Sequence, residues 1–214
     1  AVLLGGTQIP VKLTQALSEL GIRSYSGYGM TEMASTAFAK QSDGKIGVGQ
    51  PLLGREFKLV NEEVWLKGAG LAMGYWRNGC VDPLTNAEGW FQTKDKGQWL
   101  DNELVIQGRL DNMFISGGEN IQPEEIEKVI AQSDLVKQVF VLPKYDEEFG
   151  YRPVAIVEFH TSFNESAVES LNVFLQGRLE RFKQPVAYYE LPKDLIQGAI
   201  KISRKALANW LSQQ

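Results

Sequence analysis

The spacing of apolar positions changes along this chain, and each change predicts a different element. Val2-Leu3-Leu4 is a short β-type run. After Pro10, Val11, Leu13, Leu17 and Leu20 form an imperfect helical stripe, closed by Gly21. A second strand-like piece, Ile22 to Tyr25, runs into Ser26-Gly27-Tyr28-Gly29-Met30-Thr31-Glu32, which predicts a strand, a Gly-rich turn and a helix start. From 44 to 106 the texture is short β runs between Gly and Asn turns, at 57–60, 64–66, 75–76, 90–93, 99–100 and 104–106. Asn61-Glu62-Glu63 and Asp101-Asn102-Glu103 read as hairpin turns. This predicts a small β-barrel or a curled antiparallel sheet, with Trp65, Trp76, Trp90 and Trp99 in its core or lining.

The β run Leu104-Val105-Ile106-Gln107 leads through Gly108-Arg109-Leu110-Asp111 into a short apolar piece, Met113 to Ile115. Ser116-Gly117-Gly118 is a turn, because glycine tolerates positive φ. Pro123 followed by Glu124 and Glu125 marks a helix start, with proline in the first turn and acids near the positive helix end. A strand thus passes through a polar joint, Arg109 and Asp111, into a new folding unit; a plain linker has the same pattern. Beyond it, a helix is expected over about 123–132, with Ile126, Val129 and Ile130 facing inward. Strands are expected over 136–142 and 154–159, connected through 144–152. A helix over about 166–182 follows from Val168, Leu171, Leu175, Leu179 and Phe182. A short strand at 187–191, an irregular segment at 192–201 and a helix over 203–211 capped by Ser203 complete the chain. The fold class is mixed α+β: an α/β piece, a β-barrel-like piece, then a small α+β unit.

Composition narrows the function classes. The 214 residues allow one or two domains. With 43% hydrophobic and 22% charged residues, the balance is that of a globular chain rather than a disordered one. A net charge of −4 leaves no nucleic-acid footprint. No apolar run reaches the roughly 18 residues of a membrane-spanning helix. The single cysteine, Cys80, excludes an internal disulfide framework and a cysteine metal cluster, and fits a cytoplasmic setting. A Ser–His–Asp triad would have to use the single histidine, His160, at the end of a β run, and none is expected. Ala1 to Leu4 reads as a buried strand from its first residue, without a signal-peptide pattern, so a longer parent protein is expected.

Taken singly, the polar motifs are weak. A strand, Gly-rich turn and helix at Ser26 to Glu32 aims N–H groups at an anion, but such turns are common. Asp95 is a polar residue at a strand end, which a surface turn explains equally. Lys201 near a helix start is, on its own, a solvated lysine. Taken in order they resemble a family. Gly5-Gly6 with Pro10, Tyr28-Gly29-Met30-Thr31-Glu32, Gly68 to Trp76, Trp90 to Asp95, Gly108 to Asp111 and Ile200 to Arg204 follow the motif order of the adenylate-forming acyl-CoA synthetase superfamily. The chain resembles the C-terminal half of such an enzyme. Phe114 to Glu125, together with Ile200 to Arg204, most resembles its o-succinylbenzoate–CoA ligase branch, of menaquinone biosynthesis. Two positions depart from the pattern: Lys94 stands where a Gly precedes Asp95, and Ile200 where a Gly precedes the late lysine, with Gly198 two residues earlier. The family's Ser/Thr/Gly-rich phosphate loop should precede Gly5 and is not in these residues.

The resemblance implies an AMP-forming acid–CoA ligase that uses ATP, Mg²⁺ and coenzyme A and passes through an acyl-adenylate. It implies that Tyr28 stacks on adenine, while Gly27 and Gly29 let ligand and backbone approach. Thr31 would contact the α-phosphate and Glu32 would hold Mg²⁺. Asp95 would accept hydrogen bonds from the ribose hydroxyls, with Arg109 reaching the ribose or phosphates. Lys201 would offset the repulsion between substrate carboxylate and phosphate, making Lys201, Thr31 and Glu32 the catalytic set. Arg204 and Lys205 are expected as surface charges. Residues 1–109 would be the end of the large AMP-binding domain (1–43 α/β, 44–108 barrel-like), and 110–214 a small mobile domain. Asp111 would be the hinge, and Gly117, Gly118, Glu119 and Asn120 the face offered to coenzyme A. Partners would be a small carboxylic acid, ATP and coenzyme A, with no nucleic acid and no membrane; the oligomeric state is not specified. The 214 residues alone are expected to be inactive, because half of the ATP site lies outside them. Two other readings stay open: a fragment of another acyl- or aryl-CoA ligase or carrier-loading adenylation domain, and a non-catalytic nucleotide-binding or interaction module.

Overall fold

A computed structural model of the chain describes residues 1–7, 9–196 and 202–214. They form two compact units, Ala1–Leu110 and Asp111–Gln214.

In the first unit, β1 (Val2–Leu4) leads through α1 (Val11–Glu19) to β2 (Ser24–Met30), which lies parallel to β1. β3 (Ser35–Gln41) and β4 (Gln50–Pro51) return antiparallel, giving the order β1-β2-β3-β4. β1 forms, and within these 214 residues it lies at the sheet's edge, with Val2 and Leu3 39% and 61% exposed. The apolar stripe of α1 is only partly packed: Val11 and Leu17 are half-buried, Leu13 and, just past the helix, Leu20 are exposed, and Thr14 is the helix's buried residue.

The Gly-rich turn is not a turn. Residues 26–30 are part of β2, and only Thr31–Met33 curls into a single 3₁₀ turn. The glycines serve close strand approach instead. A Cβ added at Gly29 would lie 2.6 Å from the Thr36 Cα and 2.7 Å from the Ser35 carbonyl carbon. Gly29→Ala is therefore expected to destabilise the first unit by about 1–3 kcal/mol through overpacking. A urea melt of the 214-residue chain reads this as a lower midpoint, and an unchanged midpoint would mean that β2 and β3 are not this close.

Residues 55–109 carry β5 (Arg55–Val60), β6 (Glu63–Gly68), β7 (Gly74–Arg77), β8 (Cys80–Pro83), β9 (Phe91–Leu100) and β10 (Glu103–Arg109). Four of them form an antiparallel sheet of order β10-β9-β6-β5, and β7 and β8 form a separate hairpin. The turns at Asn61-Glu62 (φ 49° and 65°), Asn78-Gly79 (51° and 83°) and Asp101-Asn102 (49° and 64°) have both central residues at positive φ, which matches strand twist. The four-stranded sheet is open rather than a closed barrel, because β5 and β10 do not pair. It curls instead: Val48 N–H donates to the Leu104 carbonyl at 2.9 Å and Leu104 N–H to the Gly49 carbonyl at 3.1 Å, just before β4. The core between the sheets is Met33, Ala37, Phe38, Val64, Leu66 and Leu104, extended by a ring series in which Phe38–Phe57 and Phe57–Trp99 centroids are 5.1 and 4.8 Å apart. Trp76 departs from the expected core position and is 72% exposed, because the β7–β8 ribbon pairs only with itself.

In the second unit, β11 (Phe114–Ser116) and β12 (Glu119–Ile121) form a hairpin across Gly117 and Gly118, both at positive φ (56° and 89°). α2 (Pro123–Ile130) follows, with Ile126 and Ile130 fully buried. β13 (Val136–Asp146) pairs antiparallel with β14 (Gly150–Phe159), α3 (Glu165–Leu175) follows, and β15 (Tyr188–Glu190) lies parallel to β14. α4 (Lys193–Ile196) and α5 (Arg204–Leu211) close the chain. β14 is buried on both faces by its period of two. Ala155 and Val157 join Ile126, Ile130, Leu171 and Leu175, while Val154 and Ile156 join Leu142, Leu191, Leu207 and Leu211.

Three elements differ from expectation. The connector at 144–152 is largely strand, since β13 and β14 run on to a tight turn where the Asp146 carboxylate accepts the N–H groups of Glu148 and Phe149 at 3.0 and 2.9 Å. α3 stops at Leu175, two residues before Gly177; Leu179 and Phe182 reach the same core from the segment beyond it. Part of the irregular stretch at 192–201 is helical, as α4.

Candidate active site

A polar cluster of the first unit centres on Asp95. The β9–β10 register sets Asp95 opposite Arg109, and Arg109 Nη1 donates to Asp95 Oδ1 at 3.0 Å. The Tyr28 hydroxyl, from β2, donates to Asp95 Oδ2 at 2.6 Å. Both carboxylate oxygens are thus engaged. Asp95 lies within β9 and is 8% exposed, so it is not a surface turn at a strand end. Burial, and then the Asp95 carboxylate beside it, push the Tyr28 phenol far above its ordinary range, which keeps it a donor.

A local irregularity of β9 supports this placement. Lys94 holds a φ of +63°, a conformation that favours the glycine the family pattern has there. Its N–H donates to Glu63 Oε1 at 2.9 Å, and Trp65 Nε1 donates to Glu63 Oε2 at 3.0 Å. Asp95 N–H donates to Thr93 Oγ1 at 3.0 Å, and the Thr93 hydroxyl donates to the Val64 carbonyl at 2.7 Å. Glu63 and Thr93 are therefore supports of the cluster that sequence reasoning missed. Glu63 was expected only as a turn residue, and its burial is not visible in the local pattern.

The expected phosphate and metal residues lie just beyond β2. Gly27 and Gly29 are within β2, and Thr31 and Glu32 are in the turn that follows. The Glu32 carbonyl accepts the Ala72 N–H at 2.8 Å, and its carboxylate accepts the Tyr75 hydroxyl at 2.6 Å. That bond is the first cause raising the Tyr75 phenol above its ordinary value. Tyr75 lies in the Gly68-to-Trp76 motif, the signal that could have found it. Among the described residues, no three His, Cys, Asp or Glu side chains converge as metal ligands, so Glu32 is a single hard oxygen donor.

In the second unit, Asp111 lies in the 3₁₀ turn Leu110–Asn112, and Gly117, Gly118, Glu119 and Asn120 are exposed on the β11–β12 hairpin. Lys201, expected as the catalytic lysine, lies outside the described residues. Arg204 is not the surface charge expected. Its Nη2 lies 2.5 and 2.6 Å from the two Glu127 oxygens, and Nη1 donates to the Val141 carbonyl at 2.9 Å. Burial pushes the Glu127 carboxyl up, with the Arg204 charge and the Val141 N–H pulling it down.

The family of AMP-binding enzymes matches residues 1–76. The 2-succinylbenzoate–CoA ligase of Haemophilus influenzae is 67% identical over 213 residues, covering 100% of this chain and 47% of the relative.

Along its whole length the chain is similar to 2-succinylbenzoate–CoA ligases.

It spans about half the length of the curated relatives it matches. Among solved structures, a variant of Escherichia coli MenE with bound OSB-AMS is 52% identical with a TM-score of 0.90, covering 99% of this chain and 46% of that one. The o-succinylbenzoate coenzyme A synthetase (MenE) of Bacillus subtilis in complex with ATP and magnesium ion is 27% identical with a TM-score of 0.75, covering 89% and 42%. The mixed α/β architecture of the chain matches the corresponding part of these structures. No helix among the described residues is long and apolar enough to cross a membrane.

Proposed function

We propose that this chain is the C-terminal part of an ATP-dependent ligase that makes o-succinylbenzoyl-CoA. The observation that carries the proposal is the 67% identity to a 2-succinylbenzoate–CoA ligase along the entire chain. In the proposed reaction, the acid's carboxylate oxygen attacks the α-phosphorus of ATP and pyrophosphate leaves. The coenzyme A sulfur then attacks the acyl carbon, AMP leaves, and the thiol proton is released. The first attack brings two anions together, so alignment and charge neutralisation matter more than acid–base chemistry.

Each residue has a physical part in this reading. Asp95, held from two sides by Tyr28 and Arg109, offers a fixed carboxylate to a ribose. Thr31, exposed beside β2, offers a hydroxyl to the α-phosphate. Mg²⁺, when bound, neutralises phosphate charge. Glu32 would hold it, since a carboxylate is the hard oxygen donor this ion takes. Residues 1–109 and 110–214 serve as parts of a large and a small domain with Asp111 as the swivel, and Gly117 to Asn120 face the pantetheine arm.

Pyrophosphate exchange by the full-length protein with a panel of carboxylic acids tests the proposal. o-Succinylbenzoate should support exchange well above other aryl acids. Preference for another acid would replace the substrate, and no exchange with any acid would leave a non-catalytic module. In the same assay Asp95→Asn, which keeps the side chain's size but not its charge, should weaken apparent ATP affinity by roughly 1.5–3 kcal/mol. Unchanged affinity would remove Asp95 from the nucleotide site.

A further inference from the structure

The half-buried cluster around Arg204 has no part in the reaction as proposed, yet Arg204 lies three residues after Lys201 in sequence. Arg204 is the first residue of α5 and reaches across to α2 and β13. β13 is an edge strand, so it presents backbone groups that no neighbouring strand takes. At Val141 both are taken by side chains. The Val141 N–H donates to Glu127 Oε1 at 2.6 Å, and the Val141 carbonyl accepts from Arg204 Nη1 at 2.9 Å. Arg204 Nη2 closes the ring on the Glu127 carboxylate. Glu124, 3.9 Å from the same nitrogen, accepts the side-chain amides of Asn112 and Gln122. The Arg204 and Glu127 side chains are 24% and 15% exposed, so the pair is shielded from bulk water.

The chain on both sides of residues 197–201 is pinned to one apolar cluster. Leu195 and Ile196 before it, and Ile202 after it, pack on Leu142, Val154, Ile156, Leu191, Leu207 and Leu211. Ser203 then caps α5 by accepting the Ala206 N–H at 3.4 Å. Three successive residues after Lys201 are thus fixed by packing, by a cap and by an ion pair.

We propose that Arg204 is a positioning residue for Lys201: its grip on Glu127 and Val141 fixes where α5 begins, and so fixes the anchor from which the lysine is delivered. This rests on Lys201 being the adenylation lysine. Arginine is required because one planar guanidinium serves a carboxylate and a carbonyl at once, which a lysine ammonium cannot do in the same geometry.

The test uses Arg204→Lys and Glu127→Gln in the full-length protein. Both retain side-chain bulk, and Arg204→Lys keeps a positive charge beside Glu127, whereas Arg204→Ala would leave that carboxylate without its cation. The two half-reactions are measured separately, with Lys201→Ala alongside, and amide exchange is followed over residues 202–207 and 154–159. Both variants should slow adenylation about tenfold to a hundredfold, the range expected when a reacting group is displaced by about an ångström. Thioester formation from preformed acyl-adenylate should stay within about threefold of normal. Exchange should quicken over 202–207 and not over 154–159. Equal losses in both half-reactions with faster exchange everywhere would make Arg204 only a support of the fold. Normal adenylation by Arg204→Lys, while Lys201→Ala is slow, would end the positioning role alone. Normal adenylation by Lys201→Ala would end the underlying reading, and this proposal with it.

Discussion

Lys201→Ala in the full-length protein should slow adenylation about a hundredfold to a thousandfold, the effect of removing one positioned charge from a developing transition state. Thioester formation from preformed acyl-adenylate should stay within a few-fold of normal. The asymmetry follows from the proposed chemistry. In the first step a carboxylate approaches an anionic phosphate, and a cation that reaches both oxygens removes the repulsion between them. In the second step a thiol attacks an acyl carbon that is already activated, and no such pairing is needed. Single-turnover pyrophosphate release and conversion of synthetic acyl-adenylate separate the two steps. An equal loss in both would take Lys201 out of the adenylation step and assign it a general binding or structural part.

The second large effect is expected at the joint between the two units. Asp111 opens the second unit and sits in the 3₁₀ turn Leu110–Asn112. If it is the swivel, it needs one backbone conformation for each half-reaction. Proline locks φ near about −65° and removes the N–H. It also biases the preceding residue, Leu110, away from the helical region that the observed turn uses. The next residue cannot readily take over the motion, because the Asn112 amide is tied to Glu124 within the second unit. Asp111→Pro should therefore hold the small domain in one arrangement. We expect the adenylating one, with pyrophosphate still released in a single turnover. Thioester formation from preformed acyl-adenylate should fall on the order of a hundredfold, as for a misplaced reacting group. A plain linker would tolerate proline, leaving both half-reactions within a few-fold of normal, and normal thioester formation by this variant would end the hinge proposal.

What could be read directly from the residues was local. The β runs between 55 and 109, the positive-φ turns at Asn61-Glu62 and Asp101-Asn102, the Pro123 helix start and the Ser203 cap all depend on a few adjacent side chains and appear where expected. The order of six short motifs was legible for the same reason, and the likeness to 2-succinylbenzoate–CoA ligases agrees with the family it suggested. The Asn78-Gly79 hairpin was equally local and went unread, although Asn-Gly is a strong turn signal.

What only the tertiary structure decided was non-local. Tyr28 and Asp95 are 67 residues apart, and their contact depends on how β2 and β9 are placed across the core. Asp95 reads in sequence as a strand end because Lys94 and Gly97 interrupt the apolar pattern. In the fold β9 continues past them, with Lys94 held at positive φ by the buried carboxylate of Glu63. Arg204 reads as a surface charge because nothing near it in sequence is its partner. Glu127, 77 residues earlier, becomes one only when α2 and α5 meet over the open edge of β13. Periodicity and turn chemistry act over a few residues and are written in the sequence. Register, edges and the pairing of buried charges arise when distant segments share one core, and those the structure alone supplies.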